Sequence, residues 1–127
     1  MKNKLAILLG LLAFVAHDAS AAATVRIIHD ADKPQAAYAA RRLTNALRER
    51  GYQATDQRVG YDHLISLAVH RERLPAEAFT IVPEGKVITI YGGDDRGLIY
   101  GALALAEALR HGRSLGQIEP TEQRPHL

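Results

Sequence analysis

The stretch 79-FTIVPEGKVITIYGGDDRGLIYGALALAEALRHG-112 decides the fold, because it reads without a break as strand, tight turn, strand and glycine-opened helix. Phe79, Thr80, Ile81 and Val82 face Val87, Ile88, Thr89, Ile90 and Tyr91 across Glu84 and Gly85, a turn pair in which glycine takes the positive φ that closes a hairpin. After the hairpin, Gly92 and Gly93 let the backbone bend. Asp94 or Asp95 then offers a carboxylate to the free amides of a helix expected over Asp95–Arg110.

Working outward, Val25–Ile28 is a short β-rich run, and Asp30–Pro34 supplies a cap candidate and a proline tolerated in a first helical turn. The helix expected from about Lys33 carries Ala36, Ala40, Leu43 and Leu47 at helical spacing. Its arginines, Arg41, Arg42, Arg48 and Arg50, take other faces, and Gly51 sits at an αL stop. Tyr52–Asp56 reads as a second strand. In His63–His70, Ile65, Leu67 and Val69 share one face while Leu64, Ser66 and Ala68 share the other, the mark of a central strand. Strand, helix, four strands, helix is the resulting order, which implies an α/β fold: a mixed sheet of about five strands with two main helices packed on one face.

The ends of the chain read differently from its middle. Lys2 and Lys4 precede the eleven-residue apolar run Leu5–Val15, and Ala19, Ser20 and Ala21 supply a small-residue cleavage site, so residues 1–21 read as a secretory signal peptide. The apolar run is shorter than the roughly 20 residues a membrane-spanning helix needs, so membrane contact is expected only through the export signal. Residues 22–112 then form one α/β domain, and the polar, proline-bearing residues 113–127 read as a C-terminal linker or tail. The location implied is secreted or periplasmic. Cleavage would remove Lys2, Lys4 and Asp18 and lower the formal charge of +2 by one, which undercuts a nucleic-acid partner, as does the lack of aromatics among the arginines of the first helix. With no cysteine, an exported chain has no disulfides, and stability rests on packing.

Several chemistries suggested by local motifs fail on closer reading. Gly92–Gly97 lies between strand and helix like a phosphate cradle, but it lacks the glycine spacing and the Lys-Ser/Thr of known phosphate loops, and Asp94 and Asp95 would occupy the positive helix end themselves. Adjacent aspartates do not flank a glycosidic bond as a catalytic acid and nucleophile must. His63 and His70 stand an odd number of residues apart, on opposite faces of one strand, and no zinc-ligand spacing occurs. Ser66 lacks a nucleophile-elbow context. No catalytic, metal or cofactor-binding residue is therefore assigned. Asp94 is expected to cap the helix, and Arg96, which opposes the dipole from the first turn, to pair with a carboxylate. Tyr100 and Leu103 extend the apolar surface beyond the stripe Leu98, Ala102, Leu105 and Leu109, so that the helix calls for cover on more than one side.

Gly93, Asp94, Arg96, Gly97, Tyr100, Gly101 and Glu107, following a hairpin, resemble the end of the N-terminal accessory α/β domain of alpha-glucuronidase and beta-N-acetylhexosaminidase-type glycoside hydrolases. In that family the catalytic carboxylates lie on a following barrel. The resemblance implies a secreted, noncatalytic accessory domain in a carbohydrate-degradation context, with a glycoside hydrolase barrel or another protein as partner and no cofactor. Asp94, Arg96 and Tyr100 then form a structural junction. The alternative is a standalone exported module that binds a protein or a glycan.

Overall fold

The computed structural model describes residues 22–125. The expected signal peptide lies outside them. The elements are β1 (Thr24–Ile28), α1 (Pro34–Glu49), β2 (Gln53–Ala54), β3 (His63–Val69), β4 (Phe79–Glu84), β5 (Val87–Gly92), α2 (Asp95–Arg110), a 3-10 turn (Leu115–Gln117) and β6 (Thr121–Gln123). They build a six-stranded mixed sheet in the order β2-β1-β3-β5-β4-β6. Its pairings run parallel from β2 through β1 and β3 to β5, then antiparallel through β4 to β6.

Both helices pack on one face of the sheet and against each other. The register brings Ile27, Ile65 and Ile88 into one row and Leu67 and Ile90 into the next, all turned toward the helices. Both helices bury small residues, Ala36, Ala39, Ala40 and Ala46 of α1 and Ala102 and Ala106 of α2, while Gly97 and Gly101 of α2 lie against the Ala78 backbone and against Ile90 and Phe79 of the sheet. Leu43, Leu47, Leu98, Leu105 and Leu109 fill the space beneath, fully buried or nearly so. At about 1.5–3 kcal/mol for each large apolar side chain, this layer supplies the main driving force for a chain without disulfides.

β3 is the central parallel strand that its two apolar faces imply. The hairpin loop is Gly85-Lys86, one residue later than the expected Glu84-Gly85, because Glu84 still pairs with Val87; Gly85 carries the positive φ, +58°. β2 is shorter than the run Tyr52–Asp56 suggests.

Within the tail expected over residues 113–127, the described residues 113–125 are ordered into structure. Ser114 and Gln117 form a reciprocal capping box, Leu115 is buried, and the Leu115 N–H donates to the Tyr52 hydroxyl at 3.0 Å. The chain then adds β6 to the edge of β4, pairing Thr121 with Ile81 and Gln123 with Phe79, and this is the sixth strand. All three residues of β6 are exposed and polar, so no alternation of apolar residues announces it; only its backbone recognises the sheet. Ser-x-x-Gln around Leu115 is the signal that marks the turn.

Candidate functional site

The junction between β5 and α2 is built by two segments that meet. Asp94 holds an extended backbone at the helix N-cap, and its Oδ1 accepts the N–H of Gly97 at 2.8 Å and that of Glu77 at 3.0 Å. One carboxylate oxygen thus satisfies a free helix amide and ties the β3–β4 connection to the helix start. The same connection is held a second time by the Gly93 N–H, which donates to the Ala78 carbonyl at 2.9 Å. Glu77 accommodates both by adopting φ +65°, the left-handed region that a side-chain-bearing residue rarely enters.

Glycine is required where these backbones touch. A Cβ on Gly93 would lie 1.8 Å from the Pro75 carbonyl oxygen, and one on Gly97 would lie 2.1 Å from that of Ala78. The junction is therefore solid protein, with no room left for a phosphate.

Burial works against the charged form of Asp94, but the N–H donors of Gly97 and Glu77, helped by the nearby Arg96 and Arg71 guanidinium groups, outweigh it and hold the carboxyl below its ordinary value. A general acid in glycoside hydrolysis needs the opposite shift. The geometry makes Asp94 a cap.

Arg96 does meet a carboxylate, Glu77 Oε1, at 3.4 Å, with the two side chains 74% and 40% exposed. Ion pairs of this kind contribute about 0–1 kcal/mol. Arg96→Ala is accordingly expected to change the free energy of urea unfolding by less than about 1 kcal/mol; a larger loss would contradict the surface pair.

Tyr100 stands apart from the other two, one turn further along α2 and 44% exposed. With Phe79, Leu103, Glu107, Arg124 and Pro125 it lines a groove of 440 Å³ between the outer side of α2 and the segment leaving β6. The structure thus brings Asp94 and Arg96 together and sets Tyr100 on a neighbouring surface. Glu77, which contacts both members of the first pair and also lines the groove, carries no signal in the sequence: its partners lie 17 and 19 residues away.

Solved structures at TM-scores above 0.5 share this fold. A GH138 enzyme targeting pectin rhamnogalacturonan II is 25% identical over 78% of this chain and 15% of its own, with a TM-score of 0.64. The GH115 4-O-methyl-alpha-glucuronidase BtGH115A, with specificity for decorated arabinogalactans, is 17% identical over 71% of this chain and 14% of its own, with a TM-score of 0.53. A beta-N-acetylhexosaminidase from Bacteroides fragilis is 18% identical over 69% of this chain and 16% of its own, with a TM-score of 0.44. The chain thus spans about one-sixth of the length of these proteins or less. No curated protein matches it. The family described as glycosyl hydrolase family 20, domain 2, matches residues 13–121 and so takes in the expected tail as far as the first residue of β6. A hairpin running into a capped, glycine-opened helix, in a sheet covered on one face, is therefore that family's domain, and the chain belongs to the domain 2 family of glycosyl hydrolase family 20.

Proposed function

We infer that this chain is a noncatalytic accessory domain of carbohydrate degradation, exported from the cytoplasm, that docks on a glycoside hydrolase catalytic domain through the outer side of α2. The observation that carries the docking surface is the groove at Tyr100. It presents Tyr100 and Leu103 beside Phe79, and the polypeptide leaving β6 runs along it at Arg124 and Pro125. A domain that continues from there would meet this surface first. A half-exposed tyrosine with an apolar neighbour on each side is the kind of anchor that protein interfaces favour. Noncatalytic character is supported by Asp94, whose carboxylate is committed to backbone N–H groups and shifted away from proton donation. The basic start, apolar core and Ala-Ser-Ala end of residues 1–21 support export.

The reading is tested with the isolated catalytic domain of a family 20 hexosaminidase as partner, by sedimentation. The expected result is a complex that Tyr100→Glu weakens at least about tenfold, the effect of 1.4 kcal/mol, with urea unfolding of the variant unchanged. No complex, or one indifferent to Tyr100→Glu, would refute the surface. Hydrolysis of aryl N-acetylglucosaminides or glucuronides by this chain alone would refute the noncatalytic role.

A further inference from the structure

A cleft of 660 Å³ lies away from that groove, at the carboxyl ends of β1 and β3. β1 and β3 are adjacent and parallel, but the chain leaves them in opposite directions: after β1 through α1 to the β2 edge, after β3 across β5 to β4. Such a reversal opens a crevice outside the strand ends, the place where open α/β sheets bind ligands. The cleft also has the size of a small-molecule site, about 300–1,000 Å³. Topology and shape thus select the same place independently.

Its floor is apolar, with Ala36, Leu67 and Leu98. Its rim is charged and evenly divided, Lys33, Arg71 and Arg73 against Asp30, Glu72 and Asp95, and none of the six forms an ion pair among the described residues. A polyanion does not suit a rim that carries three carboxylates. A neutral sugar offers the two guanidinium groups no carboxylate to hold. A ring that carries one carboxylate among several hydroxyls answers both, because guanidinium groups hold the carboxylate through paired N–H donors while the acids accept the hydroxyl protons.

The cleft shares His70 and Arg73 with a second depression of 270 Å³ over Tyr91, whose ring lies 4.9 Å from that of His70. Tyr91 pairs with Ala68 and Thr80 in the sheet, on the face away from the helices. A sugar ring can stack there on an aromatic face while its neighbour occupies the charged cleft. We propose that this double site binds an acidic oligosaccharide, with a uronate residue between Lys33, Arg71 and Arg73 and the adjoining sugar on Tyr91.

The proposal is independent of docking at Tyr100, which lies elsewhere. It is tested by titrating the full chain with trigalacturonate and with its methyl ester, following backbone amide shifts by NMR. Expected are saturable shifts in residues 70–73 and 91 with the acid, with a dissociation constant on the order of 1 mM, and binding of the ester at least about tenfold weaker. Arg71 and Arg73 are exposed, so the Arg71→Ala/Arg73→Ala variant keeps the fold, and it is expected to lose the acid by a similar factor while Tyr100→Glu does not. Absence of saturable shifts, equal binding of acid and ester, or indifference to the double substitution would overturn the proposal.

Discussion

Gly93→Ala is expected to remove about 3 kcal/mol or more of stability, a large share of the roughly 5–15 kcal/mol that holds a domain folded. The added methyl would stand 1.8 Å from the Pro75 carbonyl oxygen, 2.6 Å from the Pro75 carbonyl carbon and 2.9 Å from the Leu74 carbonyl oxygen. All three are backbone atoms, which cannot rotate aside as a side chain can. Moving them would also break the Gly93 to Ala78 hydrogen bond and drag Glu77 from Asp94. Two other glycines calibrate the effect. At Gly101 the nearest atom is Ile90 Cγ2 at 2.6 Å, the end of a side chain that can partly yield, so Gly101→Ala should cost less than Gly93→Ala. At Gly116 no heavy atom lies within 4 Å and φ lies outside the left-handed region, so Gly116→Ala should stay within about 0.5 kcal/mol of the parent. Urea unfolding of the three variants gives the order directly. A Gly93→Ala variant as stable as Gly116→Ala would mean that the β3–β4 connection is not packed on the junction.

That packing also marks the boundary of what the residues alone disclose. The β4–β5 hairpin and α2 were legible because everything that specifies them is local: alternation, a glycine in the turn, an aspartate three residues before the amide it caps. The two apolar faces of His63–His70 gave away a central strand for the same reason, since side-chain period and burial are properties of one segment. The failures share a different cause. β6 joins the sheet through its backbone, with side chains that prefer neither face, and its partner lies some 40 residues upstream. Glu77 acts by its conformation and by its amide, and neither is encoded in the choice of glutamate. The charged cleft draws Asp30 and Lys33 from one loop, Arg71 to Arg73 from a second and Asp95 from a helix start, and only the strand order makes them neighbours. Arg96 illustrates the intermediate case. Its need for a carboxylate follows from the helix dipole, whereas the exposure that makes the pair weak does not.

Asp94→Ala is expected to cost about 1–3 kcal/mol at neutral pH and, more tellingly, to flatten the response of stability to acid. Two N–H groups lose their acceptor at once, that of Gly97 in the first turn of α2 and that of Glu77, which then has nothing to fix its left-handed backbone. The pH dependence has a definite sign. The folded carboxyl titrates below its ordinary value of 3.8, so the unfolded chain takes up the proton first as the solution is acidified. The stabilisation is therefore complete above 3.8 and is lost as the pH falls through the lowered folded value. Asp62 shares this behaviour, since the backbone N–H and hydroxyl of Thr24 hold it below the ordinary value too, and its contribution persists in the variant. The comparison of interest is thus the difference between parent and variant: about constant from pH 7 to 5, and shrinking as the pH drops below about 4. Asp94→Asn separates the parts, because its amide oxygen still accepts both N–H groups while no proton is taken up in that range. It should recover most of the neutral-pH stability and keep the flat acid response of the alanine variant. Urea unfolding of the three proteins between about pH 2.5 and 7 decides the matter, and a parent-minus-alanine difference that does not change over that range would show that Asp94 holds the junction without its charge.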